Sequence, residues 1–96
     1  MLKLTLKKLA FDLIESGEKK EEYRKESKWI LSRLNRINKE ELKFVEFRNG
    51  YRKTSPSFIV EYKGWEIVKD IDKTYSNGLH VHADKLICIK LGERID

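Results

Sequence analysis

Apolar and polar positions along this chain change their period several times, and each change marks an element. Leu2, Leu4 and Leu6 alternate with Lys3 and Thr5, the period of two expected of a half-buried strand. From Lys8 the spacing becomes helical. Leu9, Ala10, Leu13 and Ile14 form one stripe, and Gly17 ends it, because glycine reaches the left-handed cap without a Cβ penalty. Alternation returns in the charged run Gly17-Glu18-Lys19-Lys20-Glu21-Glu22-Tyr23-Arg24. It predicts a strand with Lys20, Glu22 and Arg24 on one face and Lys19 at its mouth. Ser27 is placed to cap a second helix whose stripe is Ile30, Leu34 and Ile37, with Arg33 and Arg36 facing outward.

The second half reads as strands. Residues 43–48 put Val45 and Phe47 on one face and Phe44, Glu46 and Arg48 on the other. Asn49-Gly50 signals a hairpin, yet the next strand is expected only near Phe58, which leaves a long basic loop holding Tyr51, Arg52 and Lys53 and no acid. Residues 58–63 alternate again, Lys63-Gly64 is read as a turn into a further strand at Trp65–Val68, and residues 75–84 are read as irregular around Asn77-Gly78. A final strand over residues 85–91 is apolar enough to be central. The order β-α-β-α followed by hairpins of short strands gives an α+β fold in one domain. Trp29 and Trp65, set among aliphatic neighbours, are read as packing residues.

Composition adds a partner class. A net charge of +5, from 21 basic and 16 acidic residues, points toward anions such as nucleic acid, while 40% hydrophobic residues argue against disorder. The single cysteine, Cys88, excludes an internal disulfide and sits in the apolar run Leu86-Ile87-Cys88-Ile89. The first residues are too short and too alternating for a signal peptide, and no apolar run reaches the ~20 residues of a membrane span. A cytoplasmic protein with no membrane partner is expected. His80 and His82 lack a second close ligand pair, so no metal is expected. The sequence holds no nucleophile-elbow, phosphate-loop or dinucleotide glycine pattern and names no cofactor.

Gly17, Lys19, Glu22 and Arg24 fit the pattern G-x-K-x-x-E-x-R, and the chain thereby resembles the ASCH domain family, specifically its small, phage-type members. Leu4-Thr5-Leu6-Lys7, Phe47-Arg48-Asn49-Gly50-Tyr51 and Ile87-Cys88-Ile89-Lys90-Leu91-Gly92 extend the resemblance over nearly the full length, so that residues 1–96 form a single ASCH domain. The resemblance implies a PUA-like small β-barrel with two short helices packed at its rim, and an RNA-related function.

Two readings of the charged strand stand side by side. One is a solvated face whose charges pair with each other. The other is a polar cleft in which Lys19 and Arg24 hold a phosphate or base edge while Glu22 orients one of them or accepts a proton. In the second reading Arg48, Arg52 and Lys53 contact the backbone of RNA, single-stranded or structured, and Tyr51 offers a ring for a base. The rival function is an enzyme of the same fold, a ribonuclease or other hydrolase of RNA or nucleosides, with Lys19 and Glu22 as its acid and base. The resemblance also implies an amidohydrolase branch, which carries a nucleophilic threonine where this chain has Glu22, a departure from that chemistry. A protein-interaction module is the third class.

Overall fold

Seven elements follow one another in a computed structural model that describes residues 1–95: β1 (Leu2–Thr5), α1 (Lys8–Ser16), β2 (Glu21–Arg24), α2 (Lys28–Asn38), β3 (Phe44–Arg48), β4 (Ser57–Thr74) and β5 (His80–Arg94). The five strands form one sheet in the order β1-β3-β4-β5-β2, with β1 parallel to β3 and the other pairs antiparallel. The sheet curls into a half-barrel, and with the two helices the fold is α+β.

Register explains why these residues hold together. Leu2 lies opposite Val45 and Val45 opposite Val60, while Leu4, Phe47 and Phe58 make a second row one step along. Two apolar rows thus cross three strands on one face, as period-two alternation requires. Phe11 of α1 meets Phe58 edge to face with centroids 4.9 Å apart, and α2 adds Ile30, Leu34 and Ile37 to the same core. Each buried side chain of this kind contributes about 1.5–3 kcal/mol, whereas an exposed ion pair contributes about 0–1, so these rows and stripes carry the fold.

Both predicted helix ends are present. Gly17 is left-handed at φ 87°, and the Ser27 hydroxyl accepts a hydrogen bond from the Ile30 amide at 3.2 Å. Leu9, expected on the buried stripe of α1, is exposed, and Phe11 takes its place in the core.

Four expectations are corrected. Gly64 does not turn the chain: β4 runs unbroken from Ser57 to Thr74, and the glycine, at φ 107°, lies in a register shift between Tyr62 and Trp65 where the strand bulges. Residues 75–84 are irregular only as far as Leu79: the turn at Asn77-Gly78 is present as expected, but β5 already begins at His80, which pairs with Thr74. The strands are therefore not all short. Trp65 packs against the core as expected, but Trp29 is 51% exposed.

The two edge strands, β1 and β2, face each other across the open side of the half-barrel. They do not pair; Arg24 Nη2 crosses the gap and donates to the Thr5 carbonyl at 2.8 Å. Among the described residues no helix is long and apolar enough to cross a membrane.

Candidate functional site

The turn after α1 sets up the site. Gly17 reverses the chain, the Lys19 amide bonds back to the Leu13 carbonyl at 3.0 Å, and β2 starts two residues later. Glu22 and Arg24, separated by two along a strand, share one face with their register partners Ile89 and Ile87. Glu22 Oε1 pairs with Lys19 Nζ at 3.2 Å and Glu22 Oε2 with Arg24 Nε at 2.8 Å. Lys19 also donates to the Glu21 carbonyl. The result is a chain of ions, Lys19–Glu22–Arg24–Thr5 carbonyl, that reaches from the α1 turn to the far edge of the sheet.

Lys19 precedes the strand as expected, but its side chain turns inward. It is 2% exposed, among the largest fully buried side chains, and its ammonium lies 5.2 Å from the Tyr23 ring centroid and 5.7 Å from that of Tyr75. Glu22 is buried beside it. Lys20 does not join this face; it points to solvent and pairs loosely with Glu93 at 3.7 Å. The strand begins at Glu21, so the alternation assumed for Lys20 does not extend back to it.

What covers Lys19 is the tip of the β4–β5 hairpin. Tyr75 donates its hydroxyl to Glu21, Lys73 Nζ approaches the same carboxylate at 3.1 Å, the Ser76 amide donates to Glu18 at 3.0 Å, and Asn77 Nδ2 donates to the Leu9 carbonyl at 3.0 Å. Burial works against the charge on Glu21, but Tyr75, Lys73 and Lys19 outweigh it and hold its carboxyl below the ordinary carboxylate value. Burial and then Glu21 push the Tyr75 phenol far above its usual range, and raise Tyr23 as well. The hairpin tip is thus latched to β2 by carboxylates.

A cleft of about 900 Å³ opens beside the ion chain. Glu22 and Arg24 lie along it with Lys7 and Lys25, and Leu6, Leu9, Ala10, Leu79, Val81 and Leu86 make it largely apolar. Of the residues singled out from sequence, Lys19, Glu22, Arg24 and Tyr51 border this one space, Tyr51 at 93% exposure. Arg48, Arg52 and Lys53 do not. Arg48 turns back on its own loop, with Nη1 donating to the carbonyls of Arg52 at 3.0 Å and Lys53 at 3.3 Å, and Nη2 lying 3.7 Å from Glu46. Arg52 and Lys53 project into solvent outside the cleft.

Sequence reasoning missed Thr5, Glu21, Asn49 and Tyr75. Asn49 Nδ2 donates to the Leu6 carbonyl at 2.9 Å and fixes the loop against β1. No local signal marks Tyr75, which arrives from 54 residues away. His80 Nε2 lies 2.6 Å from Asp72 Oδ1 and its ring stacks on His82; among the described residues no cluster of metal-ligating side chains forms. Chemically the cleft offers one solvent-reaching guanidinium on a buried carboxylate, a basic border and an apolar wall, which suits a planar anion-bearing ligand better than a small hydrophilic one. Comparison with protein-family models, curated proteins and solved structures finds no match.

Proposed function

We propose that the chain is an RNA-binding module of the ASCH family with a PUA-like fold, and that the cleft beside Glu22 and Arg24 receives an unpaired nucleotide. The single observation that carries this reading is the buried Lys19–Glu22 pair extended to Arg24. Burying ions costs several kcal/mol each in desolvation, and an apolar pair of the same volume often serves stability as well or better. A buried ion chain that ends on a half-buried guanidinium at the cleft is therefore better explained by what it holds in place. It aims Arg24 at the cleft with its planar donors fixed by Glu22 Oε2 and the Thr5 carbonyl.

The roles differ from those expected of three equivalent contacts. Arg24 is the residue that meets a phosphate or base edge, Lys19 and Glu22 position it, and Tyr51 at the border offers its ring. Arg52 and Lys53 attract the strand from outside the cleft, while Arg48 holds their loop. Binding is favoured over catalysis because both oxygens of Glu22 are already engaged and Lys19 is sealed, which leaves neither a free base nor a free amine at the cleft. A ribonuclease or nucleoside hydrolase using Lys19 and Glu22 is the alternative, and turnover is its test.

The experiment is a salt series of binding to labelled single-stranded RNA by the wild type and Arg24→Ala, with the same RNA followed for cleavage. Three neutralised phosphates give a log-log slope near −2, from about −0.7 each. A flat salt response, or an Arg24→Ala protein that binds like the wild type, refutes the reading. Cleavage that stops in Glu22→Gln would favour the enzyme.

A further inference from the structure

A second recess lies where α2 meets the start of β1, and nothing in the cleft reading uses it. It measures about 270 Å³ and is bordered by Lys3, Trp29, Arg33, Arg36 and Glu40. Arg33 covers one side of the Trp29 indole at 5.1 Å from the ring centroid, and the residue is still 51% exposed. Among the described residues Glu40 is the one carboxylate bordering the recess, and it is taken by the Met1 ammonium at 2.7 Å. Among the described residues, Lys3, Arg33 and Arg36 pair with no carboxylate, and α2 itself carries three cations and no acid. A lone exposed tryptophan means little. An indole with one open face beside three unpaired cations has the parts of a stacking platform with phosphate contacts.

We infer that this recess is a second nucleic-acid contact, in which an unpaired base of a single-stranded RNA stacks on Trp29 while Lys3, Arg33 and Arg36 neutralise its backbone. Charge complementarity selects an anion, and the exposed ring selects one with a flat face. An anionic membrane is disfavoured, since the apolar stripe of α2, Ile30, Leu34 and Ile37, is spent in the core and the recess leaves just Trp29 and Met1 to insert. Paired RNA has no free base for the ring. The recess and the cleft share an edge strand: Lys3 borders one and Thr5 the other, two residues or about 7 Å apart along β1, so one strand can reach both. The inference extends the reading of the cleft and does not depend on Arg24.

The test is a titration of nitrogen-15-labelled protein with oligo(U) of about ten nucleotides. The indole NH resonance of Trp29, identified by its loss in Trp29→Phe, is followed alongside binding affinity. The expected result is an indole shift that saturates with binding and persists in Arg24→Ala. Trp29→Ala should bind about tenfold more weakly, the effect of one lost stacked base. Lys3→Ala/Arg36→Ala should show a salt slope shallower by about 1.4, from two lost phosphate contacts. All three sites lie on the surface, and far-ultraviolet circular dichroism checks that the variants are folded; the wild-type shift needs no variant at all. An indole that stays in place while Arg24-dependent binding proceeds overturns this inference and leaves the cleft reading standing. An indole that moves with phosphatidylserine vesicles but not with oligo(U) overturns it in favour of a membrane surface.

Discussion

Removing one partner of the buried ion pair should cost far more than removing both. Lys19 Nζ and Glu22 Oε1 are 3.2 Å apart with side chains 1% and 8% exposed. At an effective dielectric of ~20 the attraction is about 5 kcal/mol, and it is largely cancelled by the several kcal/mol needed to strip each ion of water. The intact pair is thus close to neutral. Lys19→Met leaves Glu22 buried against Arg24 alone, and Glu22→Gln leaves the Lys19 ammonium with a carbonyl and two ring faces; each should cost about 3–5 kcal/mol. For a domain of this size that lowers the melting temperature by roughly 12 °C or more. Lys19→Met/Glu22→Gln, which removes both charges, should recover more than half of the summed loss and so be more stable than either single variant. The assay is urea unfolding of the four proteins followed by circular dichroism, analysed as a double-mutant cycle. A cycle that closes additively, with coupling below about 0.5 kcal/mol, would mean that both charges are solvated and that the site is not buried as described.

Three further outcomes are expected. Glu21 has its carboxyl held below the ordinary 4.5, so its contribution is present above that value and is lost as pH falls through the lowered one. The hairpin tip should loosen in that range, seen as collapse of the Tyr75 ring shifts in proton spectra, and Glu21→Gln should make the tip less sensitive to acid, with Glu18 at Ser76 the carboxylate that still responds; equal acid responses in the two proteins would refute the latch at Glu21. The phenols of Tyr23, Tyr62 and Tyr75 are all raised, chiefly by burial, so the stability they provide is intact below the ordinary 10.0 and is lost as pH climbs past it. Phenolate absorbance should therefore show a late, cooperative ionisation that Tyr75→Phe reduces, and a single unshifted step for every tyrosine would contradict this. Arg48→Ala frees the loop carbonyls it now ties, so trypsin should cut after Arg52 and Lys53 several-fold faster with little change in melting; unchanged cleavage would show that the loop is held by something else.

Local signals in the sequence were legible wherever a single residue type decides the backbone or the face. Gly17 ends α1, Ser27 caps α2, and the alternation of residues 2–6 and 43–48 gives two strands with the correct inward sides. The long hairpin was not legible. Its outer part, Lys69-Asp70-Ile71-Asp72-Lys73-Thr74, lies beyond the span that β2 covers and is mostly exposed, so its polar run carries no burial pattern to betray a strand. Gly64, which reads as a turn, bulges instead because the hydrogen-bonded partner β5 continues past it. The motif residues were found as a set, but their depth was hidden, because what buries Lys19 is Tyr75, placed there by a hairpin tip no local pattern foretells. Trp29 was misjudged for the converse reason: its aliphatic neighbours in sequence turn to the core while the indole turns away.

The sheet order has a consequence for how the protein comes into being. β2 holds the motif near the beginning of the chain, yet among the described residues its strand partner is β5 alone, with Arg24 opposite Ile87. While the polypeptide leaves the ribosome, at about 5–20 residues per second, α1 and α2 can already form, but Lys19, Glu22 and Arg24 have no surface to close against. A chain stopped before β5 would carry every residue of the motif and possess no cleft. Assembly of the cleft is in this way withheld until synthesis of the described strands is complete, a delay written into the topology itself.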